Sequence, residues 1–165
     1  MVTLSAGVRA PHFILPTLDG RQVSLDEALK NGPVVLVFFK AGCPTCQYSF
    51  PFFERLYQAN RHAKVSFIGI SQDDAKKTQT FLKQFGVTFP VALDDSKAYA
   101  VSNAYGLTNV PTLFYIDSSG EIEIASVSWS KSDFEAVSAK LATLRQQAPP
   151  TLWHQGEEIR EFRAG

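Results

Sequence analysis

The chain has 165 residues, 45% of them hydrophobic and 19% charged, with 16 basic side chains against 16 acidic ones. That is enough chain for one domain with a sizeable core, and a balanced charge with no basic block excludes the phosphate-neutralising surface that nucleic-acid binding needs. The apolar runs fall far short of membrane-spanning length, so no membrane insertion is expected, and residues 1–10 lack the apolar centre of a signal peptide. The expected compartment is cytoplasmic, or periplasmic if a leader has been removed.

Phe13-Ile14-Leu15 reads as a short strand ended by Pro16, Asp19-Gly20 as a turn, and Gln22-Val23-Ser24 as the returning arm of a hairpin. Ser24-Leu25-Asp26-Glu27 fits a capping box, predicting a short helix over residues 25–30 closed by Gly32. Residues 34–39 are apolar throughout, as in a central strand buried on both faces. Residues 43–62 read as a helix with Phe50, Phe53, Leu56 and Tyr57 on one face, and Pro51 inside it predicts a kink. Residues 65–70 are a second buried strand.

Gln72-Asp73-Asp74 caps a further helix whose Thr78, Phe81, Leu82 and Phe85 share a face and which Gly86 closes. Residues 90–93 form a short strand, and Asp94-Asp95-Ser96 caps a helix reaching Tyr105 before Gly106. Residues 112–116 are a third strand; Asp117-Ser118-Ser119-Gly120 turns the chain into an alternating, half-buried strand over 121–127. Trp129 reads as packing. Ser132-Asp133-Phe134-Glu135 is a capping box for a last helix with the stripe Phe134, Val137, Leu141 and Leu144, ended by Pro149-Pro150. For residues 151–165, a short docked helix and a loose tail both stay open. The order of elements predicts an α/β protein: a mixed central sheet, helices on both faces and an antiparallel edge. One domain is expected over residues 1–147, with a tail over 148–165, and the monomer is the expected state.

The only two cysteines stand in Cys43-Pro44-Thr45-Cys46, between the strand at 34–39 and the helix after it. A helix N-terminus presents unpaired N–H groups and the positive end of the dipole, both of which favour a thiolate, the form that attacks. Cys43 is therefore the candidate nucleophile. Cys46, about one turn along, lies on the same side and can resolve a mixed disulfide. Pro44 suits the first helical position, where no donor is lost. Thr45 offers a hydroxyl that can bond a sulfur, and Lys40 a nearby charge that can stabilise a thiolate, although a solvated surface lysine is the plainer reading. The alternatives are an inert pair of core cysteines or half a metal site. A closed site needs four ligands, and His12, His62 and His154 are scattered, so no metal is expected. A second motif, Val110-Pro111-Thr112, opens the third strand; a cis proline there would hold backbone groups open beside the thiols, and an ordinary edge proline is the bland alternative.

At these residues the chain resembles the thioredoxin fold, and within it the TlpA-like thiol–disulfide oxidoreductases of the wider AhpC/TSA–redoxin superfamily, over about residues 10–144. The opening Ala10-Pro11-His12-Phe13 and Leu18–Leu25 are similar to that family's N-terminal hairpin, and residues 73–94 to its helix–strand insertion. The resemblance implies a three-layer sandwich in which Cys43 attacks, Cys46 resolves, and a cis Pro111 flanks a substrate groove lined also by Val110, through its backbone, and Thr112. It implies a bacterial redox-homeostasis or antioxidant role without a bound cofactor, the Cys43–Cys46 disulfide being the redox group, with protein or small-molecule disulfides as substrates and a reducing or oxidising partner protein. The chain departs from the pattern at Gly42, where the family usually has Trp. It departs again at Val37 and Ser49, where related proteins carry an acid, so Cys46 is expected to deprotonate less readily.

Two rivals are weighed. A peroxiredoxin-like peroxidase shares the fold but needs Pro-x-x-x-Thr-x-x-Cys and a later arginine; neither cysteine fits, and no arginine lies between Arg61 and Arg145. A non-catalytic binding module or metallochaperone would use the same groove without turnover.

Overall fold

The computed structural model describes residues 2–165. The N-terminal hairpin pairs β1 (Ile14–Pro16) with β2 (Gln22–Ser24) antiparallel, turning through Gly20 at φ 82°. Ser24 then caps α1 (Leu25–Leu29), its hydroxyl accepting from the Glu27 N–H at 3.1 Å. The apolar run is β3 (Val34–Phe39), and α2 (Pro44–Ala59) follows it, continuous through Pro51. β4 (Ser66–Ser71) begins one residue later than its apolar pattern suggests. α3 (Ala75–Phe85) is capped by Asp74 and closed by Gly86 in the left-handed region, and it leads to β5 (Val91–Leu93).

The next helix departs from expectation. α4 (Ala100–Ala104) starts well after Ser96, with Tyr99 at φ 49° before it. The reason is Asp94, which is buried and accepts from the N–H groups of Val101 and Ser102 and from the Ser102 hydroxyl. It caps the helix across an intervening turn instead of starting it directly. β6 (Thr112–Ile116) and β7 (Ile122–Val127) form the second hairpin. A short β8 (Trp129–Ser130) precedes α5 (Lys131–Leu144). The cap of α5 is Ser130, whose hydroxyl accepts from the Asp133 N–H, so this helix begins ahead of the expected Ser132 box and stops before the prolines.

Five strands form one sheet in the order β5-β4-β3-β6-β7. β3 is parallel to β4 and antiparallel to β6. Its side chains alternate between two cores: Val35, Val37 and Phe39 pack with α2, α3 and α5, while Val34, Leu36 and Phe38 pack with the hairpin, α1 and α4. None of the six is more than 1% exposed, which is why the run shows no polar alternation. The α2 side is dense in rings, with Phe39 stacked on Phe50 and Phe81.

Residues 151–165 are neither a helix nor a loose tail. Trp153 packs its ring on Phe52 and Phe134, Arg55 holds Glu157 through two bonds of 2.6 and 2.8 Å, and β9 (Phe162–Arg163) pairs antiparallel with β8. Trp129 anchors the seam as packing: it is buried among Tyr48, Phe52, Phe53 and Phe134, and its indole N–H donates to the Arg160 carbonyl at 2.8 Å. Among the described residues no helix is long and apolar enough to cross a membrane.

Candidate active site

The end of β3 delivers the chain into a tight turn over residues 40–42. That turn is tied down from two directions: the Ala41 N–H donates to the Asp73 carboxylate at 2.7 Å, and the Ala41 carbonyl accepts from the Gln47 side chain at 2.9 Å. It sets Cys43 as the N-cap of α2, with extended backbone and Pro44 at the first helical position. A capping residue normally offers oxygen; here the sulfur takes that place and accepts from the Cys46 N–H at 3.1 Å. Both cysteines are free thiols, Cys43 half-buried and Cys46 fully buried.

Their environments push them in opposite directions. The Cys43 thiol falls from its ordinary value to about 6, chiefly through its hydrogen bond with the Cys46 side chain, helped by the N–H groups of Cys46 and Thr45 and by the charge of Arg163, and opposed by partial burial. Cys46 is driven upward, first by burial and then by its bond to Cys43, with the carboxylate of Asp73 adding to the effect. These opposed shifts favour the thiolate at Cys43 and the protonated thiol at Cys46, the division of labour a nucleophile and a resolving thiol need.

Across from the sulfur lies the loop before β6. The Val110–Pro111 peptide bond is cis, and the Val110 carbonyl accepts from the Cys43 thiol in its protonated form at 3.3 Å. The structure thus brings Cys43, Cys46, Val110 and Pro111 together. It places three other candidates differently. Thr112 is fully buried and its hydroxyl donates to the Asn109 carbonyl at 2.7 Å, so its side chain braces the loop and does not line the groove. Thr45 gives its hydroxyl to the Ala164 carbonyl and no sulfur; what it offers Cys43 is its backbone N–H. Lys40 is exposed and lines a cleft together with Val110 and Gly165, while the cation whose charge acts on Cys43 is Arg163.

Comparison with known proteins agrees with this geometry. Residues 6–125 match the model of the AhpC/TSA family. The chain is 31% identical over 120 residues to the thiol-disulfide oxidoreductase ResA of Bacillus thuringiensis, covering 72% of this chain and 68% of that one. The chain belongs to the AhpC/TSA family. Among solved structures, a thiol:disulfide interchange protein of the thioredoxin family from Chlorobium tepidum superposes with a TM-score of 0.66 at 25% identity, covering 83% of this chain and 96% of that one. The peroxidoxin BcpB of Mycobacterium tuberculosis gives 0.69 at 27% identity, covering 87% and 97%. This AhpC/TSA family member is TlpA-like, has the thioredoxin-like α/β fold and is a thiol–disulfide oxidoreductase.

Four residues of this family member's site escaped sequence reasoning. Asp73 was visible only as a helix cap, yet it fixes the turn before Cys43. Asn109 was an ordinary loop residue, yet its carbonyl holds Thr112. Arg163 and Ser128 gave no local signal, because both reach the site through the pairing of β8 with β9.

Proposed function

We propose that Cys43 is the attacking sulfur and Cys46 the resolving one, in a dithiol cycle that needs no bound cofactor. The observation that carries this reading is the opposed pair of environments: a sulfur capping a helix, held as a thiolate near neutral pH, beside a buried thiol kept protonated. The Cys43 thiolate attacks one sulfur of a substrate disulfide, the S–S bond breaks, and the first substrate thiolate leaves and takes up the Cys46 proton. Cys43 is then uncharged in a mixed disulfide. That removes the anion beside Cys46, one cause of its raised value, so Cys46 ionises more readily when it is needed. Its attack on the Cys43 sulfur expels the second thiolate and leaves the Cys43–Cys46 disulfide. Two electrons pass to the substrate, and a partner dithiol restores the pair; run backwards, the same steps oxidise a dithiol.

Substrates of this cycle are protein or small-molecule disulfides. Val110 and cis Pro111 form the wall against which the attacked disulfide is held. The test is reduction of a model protein disulfide with dithiothreitol as electron source. The intact protein turns over, Cys43→Ser does not, and Cys46→Ser accumulates a mixed disulfide on Cys43. Full activity in Cys43→Ser would sink the assignment.

A further inference from the structure

Cys46 is fully buried, and a buried sulfur anion needs donors around it. Burial, the Cys43 sulfur and the charge of Asp73 all disfavour its thiolate; the one cause that favours it is the main-chain N–H of Lys40. That N–H opens the turn over residues 40–42, so its direction depends on how the turn is held. One oxygen of Asp73 accepts from the next N–H, that of Ala41, at 2.7 Å. The Ala41 carbonyl accepts from the Gln47 side chain of α2 at 2.9 Å, and the Lys40 carbonyl accepts from the Cys43 N–H at 3.3 Å. Asp73 is itself fixed by the end of β4. The Ser71 hydroxyl is buried, accepts from the Asp73 N–H at 3.1 Å and shares a bond of 2.6 Å with the buried Thr78 hydroxyl of α3. The Gln72 N–H donates to the Phe39 carbonyl at 3.0 Å, just beyond the last pair of β3 and β4. A carboxylate on so firm a base is a strong and well-placed acceptor. Asp73 therefore acts on Cys46 twice, with opposite signs: its charge opposes the thiolate, and its hold on the turn supports it.

We propose that Asp73 is a positioning residue for the resolving step: its carboxylate pins the Ala41 N–H and so keeps the Lys40 N–H directed at the Cys46 sulfur. This rests on the reading of Cys46 as the resolving thiol and adds the residue that prepares it. In that step the Cys46 thiolate bonds to the Cys43 sulfur, the S–S bond between Cys43 and the substrate breaks, and the substrate thiolate leaves with the electron pair. The Lys40 N–H keeps its proton throughout and serves only to hold the buried anion until it attacks.

The symmetrical disulfide of 5-thio-2-nitrobenzoate, mixed in equal amount with the reduced protein, separates the two steps. Attack by Cys43 releases one coloured thiolate, and attack by Cys46 releases the second. Asp73→Asn and Asp73→Ala both remove the charge, but only the asparagine keeps an oxygen for the Ala41 N–H. The second release at neutral pH is expected to be about tenfold faster in Asp73→Asn than in Asp73→Ala, and its pH midpoint about one unit lower. Gln47→Met keeps every charge and removes the other pin on Ala41; it should slow the second release about threefold and raise its midpoint. Equal second-release rates and midpoints in the asparagine and alanine variants, or an unmoved midpoint in Gln47→Met, would overturn the positioning role and leave the thiol chemistry standing. A first release with no second one in the intact protein would overturn the resolving role of Cys46 itself.

Discussion

The two ends of the candidate groove are built in opposite ways. At the α2 end, Lys40 to Cys46 are consecutive in the chain, and Cys43, the proposed nucleophile, is set by a turn, a proline and a helix N-terminus. At the far end, residues 151–165 reach the site through contacts with partners 56 to 119 residues away: Arg55 with Glu157, Thr45 with Ala164, Asn109 with Gly165. The first end carries the two sulfurs, and the second brings the charge of Arg163 to Cys43 and the Ala164 carbonyl to Thr45. Chemistry that depends on backbone N–H groups is best made locally, where covalent geometry fixes the distances. A charge acting through space needs no such precision, and it can be brought from anywhere in the chain.

Substitutions should separate these ends. The largest expected effect is Cys43→Ser, which removes the thiolate and should lower disulfide turnover by about a thousandfold or more, measured as reduction of a model protein disulfide with dithiothreitol. Removing the anchor of the other end comes next. Trp129→Ala empties a site packed by Tyr48, Phe52, Phe53 and Phe134 and strips the Arg160 carbonyl of its donor, so unfolding in denaturant should require about 3–5 kcal/mol less. If the tail were an independent appendage, its susceptibility to protease would not change in that variant; the packing predicts cleavage within 151–165 ahead of global unfolding.

The acidity of Cys43 gives a third and finer comparison. Its alkylation rate by iodoacetamide should rise with pH to a plateau with a midpoint near 6, because the reactive thiolate is present above that pH and lost below it. Cys46→Ala removes the largest cause and should move the midpoint toward that of an ordinary cysteine, about 8.5. A midpoint that stays put would assign the lowering to the helix end alone. Arg163→Gln, from the distant wall, should move it upward by less, since its charge is the weakest of the causes named.

The smallest effect concerns the clasp between the ends. The Arg55 guanidinium holds Glu157 at about 2, well below its ordinary value. A carboxylate depressed in the folded state contributes stability above its ordinary value near 4.5 and loses it as pH falls toward 2. Tail docking should therefore loosen over that acid window, read by fluorescence of Trp153, and Glu157→Gln should abolish the dependence. Because the pair is partly exposed, salt should weaken it.

Sequence alone was enough for the framework and for placing the two cysteines at the start of α2. An apolar run at 34–39, capping residues at Ser24 and Asp74, a glycine at 86 and a two-cysteine motif at a helix start are short-range signals, and short-range geometry obeys them. It also pointed to Pro111 as cis, through the family resemblance. It misplaced the starts of α4 and α5, because Asp94 bonds to N–H groups beyond an intervening turn and because Ser130 caps ahead of the serine that fits the box pattern. What only the tertiary structure decided is who surrounds the sulfurs. Asp73 and Arg163, the inward turn of Thr112 and the diversion of the Thr45 hydroxyl to Ala164 all depend on where separate elements meet. Local pattern fixes a residue's own backbone, but a side chain's partner is settled by packing between distant segments, and no period in the sequence encodes that meeting.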